Sequence, residues 1–177
     1  MTISYAITVY NEIDELTKLL NFLQLHIRKE DEIVIQYDES SATDEVKEYV
    51  TLMNSMHENH KVCRFPLNKD FATFKNNLKS HCSKDYIFQV DADEIPHEYL
   101  VEYLPNLLDT NPVDIVFVPR VNTVEGLTQS HIDKWKWNVN QKGWVNFPDY
   151  QTRIYKNTPD VTWMNKVHET ITGYNTF

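Results

Sequence analysis

Lys84-Asp85-Tyr86-Ile87-Phe88-Gln89-Val90-Asp91-Ala92-Asp93-Glu94-Ile95-Pro96 is the stretch on which the reading of the fold turns. Tyr86 to Val90 is a short apolar run rich in aromatic and β-branched residues, the composition of a buried strand. It ends in three carboxylates within four residues and is closed by a proline. The strand is therefore expected to deliver Asp91, Asp93 and Glu94 to a loop at its C-terminal end, where open α/β sheets keep their ligands. Crowded carboxylates repel one another, and a hard cation relieves that repulsion. Asp91 and Asp93 read as a metal and phosphate site; a solvated acidic turn is the plainer alternative.

The rest of the chain alternates in the same way. Ile3 to Val9 reads as a first strand and Thr8 to Glu12 as the loop after it. Asn11 suits the N-cap of a helix that places Ile13, Leu16, Leu20, Leu23 and Ile27 on one face. Glu32 to Tyr37 is a second strand, followed by the cap-rich segment Asp38 to Asp44 and a helix turning Val46, Tyr49, Val50 and Met53 inward. Lys61 to Phe65 is a third strand. The helix after it carries Phe71, Phe74, Leu78 and Cys82 at helical spacing, with Lys75 and Asn76 off the apolar stripe. Pro96 opens a helix with Leu100, Tyr103 and Leu104, and Val113 to Val118 is a fifth strand. From Asn122 to Asp149 the pattern lapses around Trp135, Trp137 and Trp144, as expected of a binding loop or lid. Gln151 to Lys156 reads as a strand again.

Length and composition bound the function. At 177 residues the chain fits one domain, and 41% hydrophobic and 12% aromatic residues are those of a folded protein. No apolar run reaches membrane-spanning length and the N-terminus lacks a signal-peptide layout, so a cytosolic location is expected. Cys63 and Cys82 lack metal-ligand spacing and are expected to be reduced. A net charge of −9 excludes a general nucleic-acid binder. The charge is uneven, however: residues 131–177 carry 4 acidic and 6 basic residues, which leaves an anionic partner open for the last quarter.

Six motifs follow one another in order: Thr8-Val-Tyr10-Asn11-Glu12, Asp38 with Ser41-Ala-Thr43-Asp44, Phe71-Ala-Thr-Phe-Lys75-Asn76, Asp91-Ala92-Asp93-Glu94, Asp149-Tyr-Gln-Thr-Arg153 and Val167-His168-Glu169. Together they resemble the glycosyltransferases of the GT-A fold, and more closely the inverting family 2 enzymes that use a nucleotide-sugar donor. The resemblance covers nearly the whole chain. It implies an α/β, Rossmann-like fold with a central, mostly parallel sheet flanked by helices, in a single domain 1–177. Residues 1–95 would form the nucleotide-sugar-binding half and 96–177 the acceptor-side half.

The resemblance also implies roles. Thr8, Tyr10, Asn11, Glu12 and Asp38 would hold the nucleoside, and Lys75 the phosphates. Asp91 and Ala92 would lie near ribose and sugar. Asp91 and Asp93 belong to the Asp-X-Asp motif that ligates Mn²⁺ or Mg²⁺, with His168 as a further ligand. Asp149 matches the general base best, with Glu169 the runner-up and Glu125 a distant third. Relatives usually carry Arg-Asn where this chain has Lys75-Asn76; lysine keeps the charge and loses the bidentate fork. The second-strand loop has one more residue than the commonest pattern, which leaves Glu39 and Ser40 without a role.

The expected donor is a nucleotide-sugar, with UDP-sugars favoured, and the acceptor is a hydroxyl on a glycan, protein, small molecule or modified nucleic-acid base. The chain ends soon after His168, so the acceptor is expected to be small or exposed, or a partner to supply its recognition. A nucleotidyltransferase would show a glycine-rich basic loop after the first strand, where this chain has Tyr10-Asn11-Glu12. A non-catalytic nucleotide- or sugar-binding module of the same fold is the remaining alternative.

Overall fold

The computed structural model describes all 177 residues. In chain order the elements are β1 (Ile3–Val9), α1 (Ile13–His26), β2 (Glu32–Asp38), α2 (Asp44–Met56), β3 (His60–Phe65), α3 (Phe71–His81), β4 (Tyr86–Asp91), α4 (Glu98–Thr110), β5 (Ile115–Asn122), α5 (Gln129–Trp135), β6 (Val145–Lys156), β7 (Thr162–Met164) and β8 (Thr170–Thr172). The first eight alternate strictly. Each crossover helix brings the chain back to lay the next strand parallel, the arrangement that buries a sheet on both faces.

The six-stranded sheet has the order β3-β2-β1-β4-β6-β5, and a separate hairpin pairs β7 with β8. β1, β2, β3 and β4 are mutually parallel, and β6 runs against both of its neighbours. β1, β2 and β4 are buried almost throughout, which is why they read as continuous apolar runs rather than alternating ones. One face is covered by Leu16, Leu20 and Leu23 of α1, Val46 and Val50 of α2, and Leu104 and Leu108 of α4. The other is covered by Ala72 and Leu78 of α3 together with Trp163 and Ile171 of the hairpin. The C-terminal ends of β1, β2 and β4 stay open between these layers.

Local differences from the sequence reading have physical causes. Glu12, not Asn11, occupies the N-cap of α1, and its carboxylate turns back to accept from the Tyr10 and Asn11 N–H groups. Lys75 is not on a solvent face but 6% exposed, because the β7–β8 hairpin packs over α3. Asn76 clamps that hairpin: its Nδ2 donates to the Trp163 carbonyl at 2.8 Å and its Oδ1 accepts from the Trp163 N–H at 2.9 Å. Phe71 and Tyr103, expected in the core, are 40% and 62% exposed. The irregular segment contains α5, opened by a capping box of Thr128 and His131, and β6 begins at Val145, so Asp149 lies inside a strand. Cys63 and Cys82 are both free thiols.

Candidate active site

Parallel register places Thr8 beside Gln36 on one side and Asp91 on the other, so the polar ends of β1, β2 and β4 open together at one edge. A cavity of about 470 Å³ sits there. Thr8, Tyr10, Glu12, Asp38, Lys75, Asp91, Ala92 and Asp93 all line it, as does Glu169 from the hairpin. Eight residues expected at a donor site from the sequence thus converge with one expected base. Asn11 does not line the cavity; its N–H donates to the Glu12 carboxylate. Sequence reading did not single out Leu67, Phe71 or Phe74 as lining residues. Their apolar side chains gave only a core signal; Phe71, exposed at the cavity, offers a ring face.

Asp38 is an acceptor built into the cavity wall. Its Oδ1 takes the N–H groups of Ser40 and Leu67, both at 3.1 Å, and its Oδ2 takes the Ser41 hydroxyl. Burial works to raise its pKa, and these donors outweigh it and hold the carboxyl below the usual range.

Asp91 is the hub. Its Oδ1 accepts from the Thr8 hydroxyl at 2.8 Å and its Oδ2 from Arg153 Nη1 at 3.1 Å. Burial pushes its pKa up, but Arg153, Lys75 and the Thr8 bond bring it below the ordinary value. Asp91 also lines a second cavity of about 1040 Å³ between the β4–α4 segment and the β5–β6 arm, and a third, polar one of about 250 Å³ that holds Lys75 and Glu169. Three spaces therefore meet at a single carboxylate.

Arg153 and Glu94 join this hub; the sequence placed Glu94 on the ligand loop but gave neither residue a role. Arg153 Nη2 donates to Glu94 Oε1, while Glu94 Oε2 accepts from the Asp91 N–H at 3.3 Å. Burial pushes the Glu94 pKa up despite Arg153. Their signal in sequence was faint: Glu94 adjoins the Asp-X-Asp motif and Arg153 closes a quoted one, but only the β4–β6 pairing brings them together.

The two expected bases stand differently. Glu169 lies in the donor cavity, its Oε1 2.5 Å from Lys75 Nζ. Burial raises its pKa, but the Lys75 bond and charge bring it below the ordinary value. Asp149 lines none of the three cavities. Its Oδ2 accepts from Arg120 Nε and Nη2 and from Asn122 Nδ2, and its Oδ1 from Gln151 Nε2. Those donors overcome the effect of burial and depress its pKa. Glu125, the third candidate, is exposed and likewise lines none of them.

For the metal, the chain offers a partial donor set. No cluster of three His, Cys, Asp or Glu side chains forms, and His168 is exposed at the β7–β8 turn, outside all three cavities. Asp91 and Asp93 line the donor cavity, and Asp93 has no ion-pair partner. Mg²⁺ and comparable hard cations are commonly held by one or two carboxylates with substrate phosphates and water completing the shell. The donor set fits a cation that arrives with a diphosphate.

Parallel strands in the order 3-2-1-4, a reversed β6 and an acidic β4 end over a cavity are the layout that a GT-A fold implies. The chain belongs to glycosyl transferase family 2, whose family model matches residues 4–173. Among solved structures, S. aureus TarS 1–349 in complex with UDP-GlcNAc is similar with a TM-score of 0.67 and 18% identity, covering 94% of this chain and 49% of that one. The mannosyltransferase PcManGT from Pyrobaculum calidifontis, in complex with GDP-Man and Mn²⁺, is similar with a TM-score of 0.55 and 18% identity over 67% of this chain and 35% of that one. The chain spans about half the length of the TarS 1–349 structures. No curated protein sequence matches it. No helix is long and apolar enough to cross a membrane.

Proposed function

We propose that the domain transfers a sugar from a nucleotide-diphosphate donor, with a UDP-sugar favoured, to an acceptor hydroxyl with inversion and with dependence on Mn²⁺ or Mg²⁺, working in the cytosol. The observation that carries the reading is the convergence of Thr8, Asp38, Lys75, Asp91, Asp93 and Glu169 on one cavity at the C-terminal ends of β1, β2 and β4. The nucleotide complexes of TarS and PcManGT, one with UDP-GlcNAc and one with GDP-Man and Mn²⁺, support the donor class.

Each residue has a physical task in this reading. Asp38 accepts from the base or ribose, and Tyr10 and Phe71 offer exposed ring faces for stacking. Lys75 supplies fixed positive charge to the diphosphate. Asp91 and Asp93 would hold the cation, which as a Lewis acid offsets charge on the leaving diphosphate. His168 would join them only after the β7–β8 turn moves.

The chemical step breaks the bond from the anomeric carbon to the diphosphate oxygen and forms one to the acceptor oxygen. The acceptor proton passes to a carboxylate, a contribution of typically ~10²–10⁴-fold. Glu169 is the base this reading favours, because it lies in the donor cavity together with Asp91. Asp149 is second: it lines none of the three cavities, and its donors tie it to Arg120, Asn122 and Gln151. The test is release of nucleoside diphosphate from UDP-, GDP- and CDP-sugars with Mn²⁺ or EDTA by wild type, Glu169→Gln and Asp149→Asn. Loss of at least ~10²-fold in Glu169→Gln with donor affinity kept is expected; the same loss confined to Asp149→Asn would exchange the two roles.

A further inference from the structure

The second cavity is larger than a donor site requires. Its volume of about 1040 Å³ lies at the top of the ~300–1,000 Å³ range of small-molecule sites. It touches the donor cavity through Asp91 and Asp93, so a group bound in it adjoins the donor.

Its walls differ in character. On the β5–β6 side, Trp144 and Phe147 form a tilted pair with ring centroids 4.8 Å apart. Neither belongs to either core cluster. Rings outside the core can take an apolar face of a ligand, although one face of Trp144 already carries the Lys142 ammonium, and the C–H faces of a sugar ring suit the negative face of an indole. Ile95, Pro96 and Leu100 form an apolar wall on the β4–α4 side.

The charges select against an anion. Arg120 and Arg153 are the cavity's only guanidinium or ammonium groups. Arg153 is bound to Asp91 and Glu94, and Arg120 to Asp149, with Glu94 at 3.6 Å. Asp91, Asp93 and Glu94 line the same space. With Asp91 and Asp93 given to the cation and its diphosphate, a phosphate would meet Glu94 and two guanidinium groups already paired with carboxylates, whereas neutral hydroxyls bring no charge to desolvate. Lys142 Nζ, 4.6 Å from the Trp144 ring centroid, is not a lining group. Of the last quarter's basic residues only Arg153 lines this cavity, and it is already paired with Asp91 and Glu94.

We propose that this cavity is the acceptor site and that it takes an uncharged saccharide seated on Trp144 and Phe147, in preference to a phosphate-bearing acceptor. The proposal rests on the glycosyltransferase reading above for the name acceptor; the binding itself does not need turnover. The test is saturation-transfer NMR with UDP and Mn²⁺ present, using methyl glycosides of common hexoses and N-acetylhexosamines against glycerol 3-phosphate and ribitol 5-phosphate. Wild type, Trp144→Ala and Phe147→Ala are compared, with circular dichroism to verify folding and nucleotide affinity measured on each.

At least one neutral glycoside is expected to bind wild type, and either alanine variant to weaken it about tenfold while nucleotide affinity stays within about twofold. Phosphate esters are expected not to bind. A phosphate ester binding as well as the best glycoside, no glycoside binding at all, or glycoside binding unchanged in both variants would overturn the proposal. Failure of wild type to bind any nucleotide is a separate result and counts against the donor reading instead. Should Trp144→Ala fail to fold, Phe147→Ala carries the test, with Trp144→Phe expected to keep binding.

Discussion

Lys75 Nζ lies 2.5 Å from Glu169 Oε1 and 4.5 Å from the Trp163 ring centroid, so a helix residue and a hairpin residue separated by most of the chain form one ion pair at the donor cavity. The pair couples the cation proposed for the phosphates to the proposed base. A diphosphate that draws the ammonium away leaves Glu169 with greater proton affinity at the moment a base is needed.

Lys75→Met is expected to lower transfer and to change its pH dependence. Burial and the Asp91 charge raise the Glu169 pKa and Lys75 outweighs them; without Lys75 only the backbone hydrogen bond opposes them, and the pKa is expected to rise. The acid limb of kcat/KM should therefore move to higher pH. An unshifted limb with reduced activity would confine Lys75 to phosphate binding.

Asp93→Ala is expected to abolish metal-dependent nucleotide binding and transfer together, because Asp93 lines the donor cavity with neither an ion-pair nor a hydrogen-bond partner, unlike Glu12, Asp38, Asp91 and Glu169. Asp38→Ala is expected to weaken the free nucleoside as well as the donor, through loss of an acceptor held by three donors. Titration of both variants with nucleoside, nucleoside diphosphate and metal separates the two effects.

Asn76→Ala removes both hydrogen bonds to the Trp163 backbone. Leaving those buried groups unpaired costs about 1–3 kcal/mol, seen as a lower denaturation midpoint. Because β7 and β8 carry Glu169 at their turn, hydrogen exchange at 162–172 should rise and kcat should fall. Loss of stability without faster exchange there would place the damage elsewhere.

His60 is buried, stacked on His57 at 4.6 Å, and neither of its ring nitrogens has a hydrogen-bond partner. Burial, with a smaller contribution from His57, lowers its pKa from 6.5 to about 4. The unfolded chain then binds the proton more readily, so stability is full above pH 6.5 and falls as the pH drops toward 4. The loss attributable to this ring is up to about 3 kcal/mol. Thermal melts of wild type against His60→Phe between those pH values should show the difference; parallel curves would contradict it.

Much of this was legible in the chain because it is local. β1, β2 and β4 announced themselves as apolar runs, and each ended in the polar residue that reaches the donor cavity: Thr8, Asp38 and Asp91. What stayed hidden depends on distant pairing. Arg153 meets Asp91 only because β6 lies antiparallel beside β4, and Lys75 is buried only because the hairpin folds over α3. Phe71 kept helical spacing with the core residues yet stands at the cavity, since periodicity cannot tell a core face from a ligand-facing one. Asp149 read as the end of the irregular segment, before a strand starting at Gln151, whereas β5 pairing places it inside a strand under Arg120.

The measurement closest to the central claim is isothermal titration of the wild-type domain with UDP, GDP and CDP in Mn²⁺ and then in EDTA, repeated on Asp93→Ala. The account predicts binding of one nucleotide, UDP foremost, that needs the metal and disappears in the variant. Nucleotide binding that is indifferent to EDTA and to Asp93 would contradict the metal-diphosphate site, and no binding by any nucleotide would contradict the donor cavity itself.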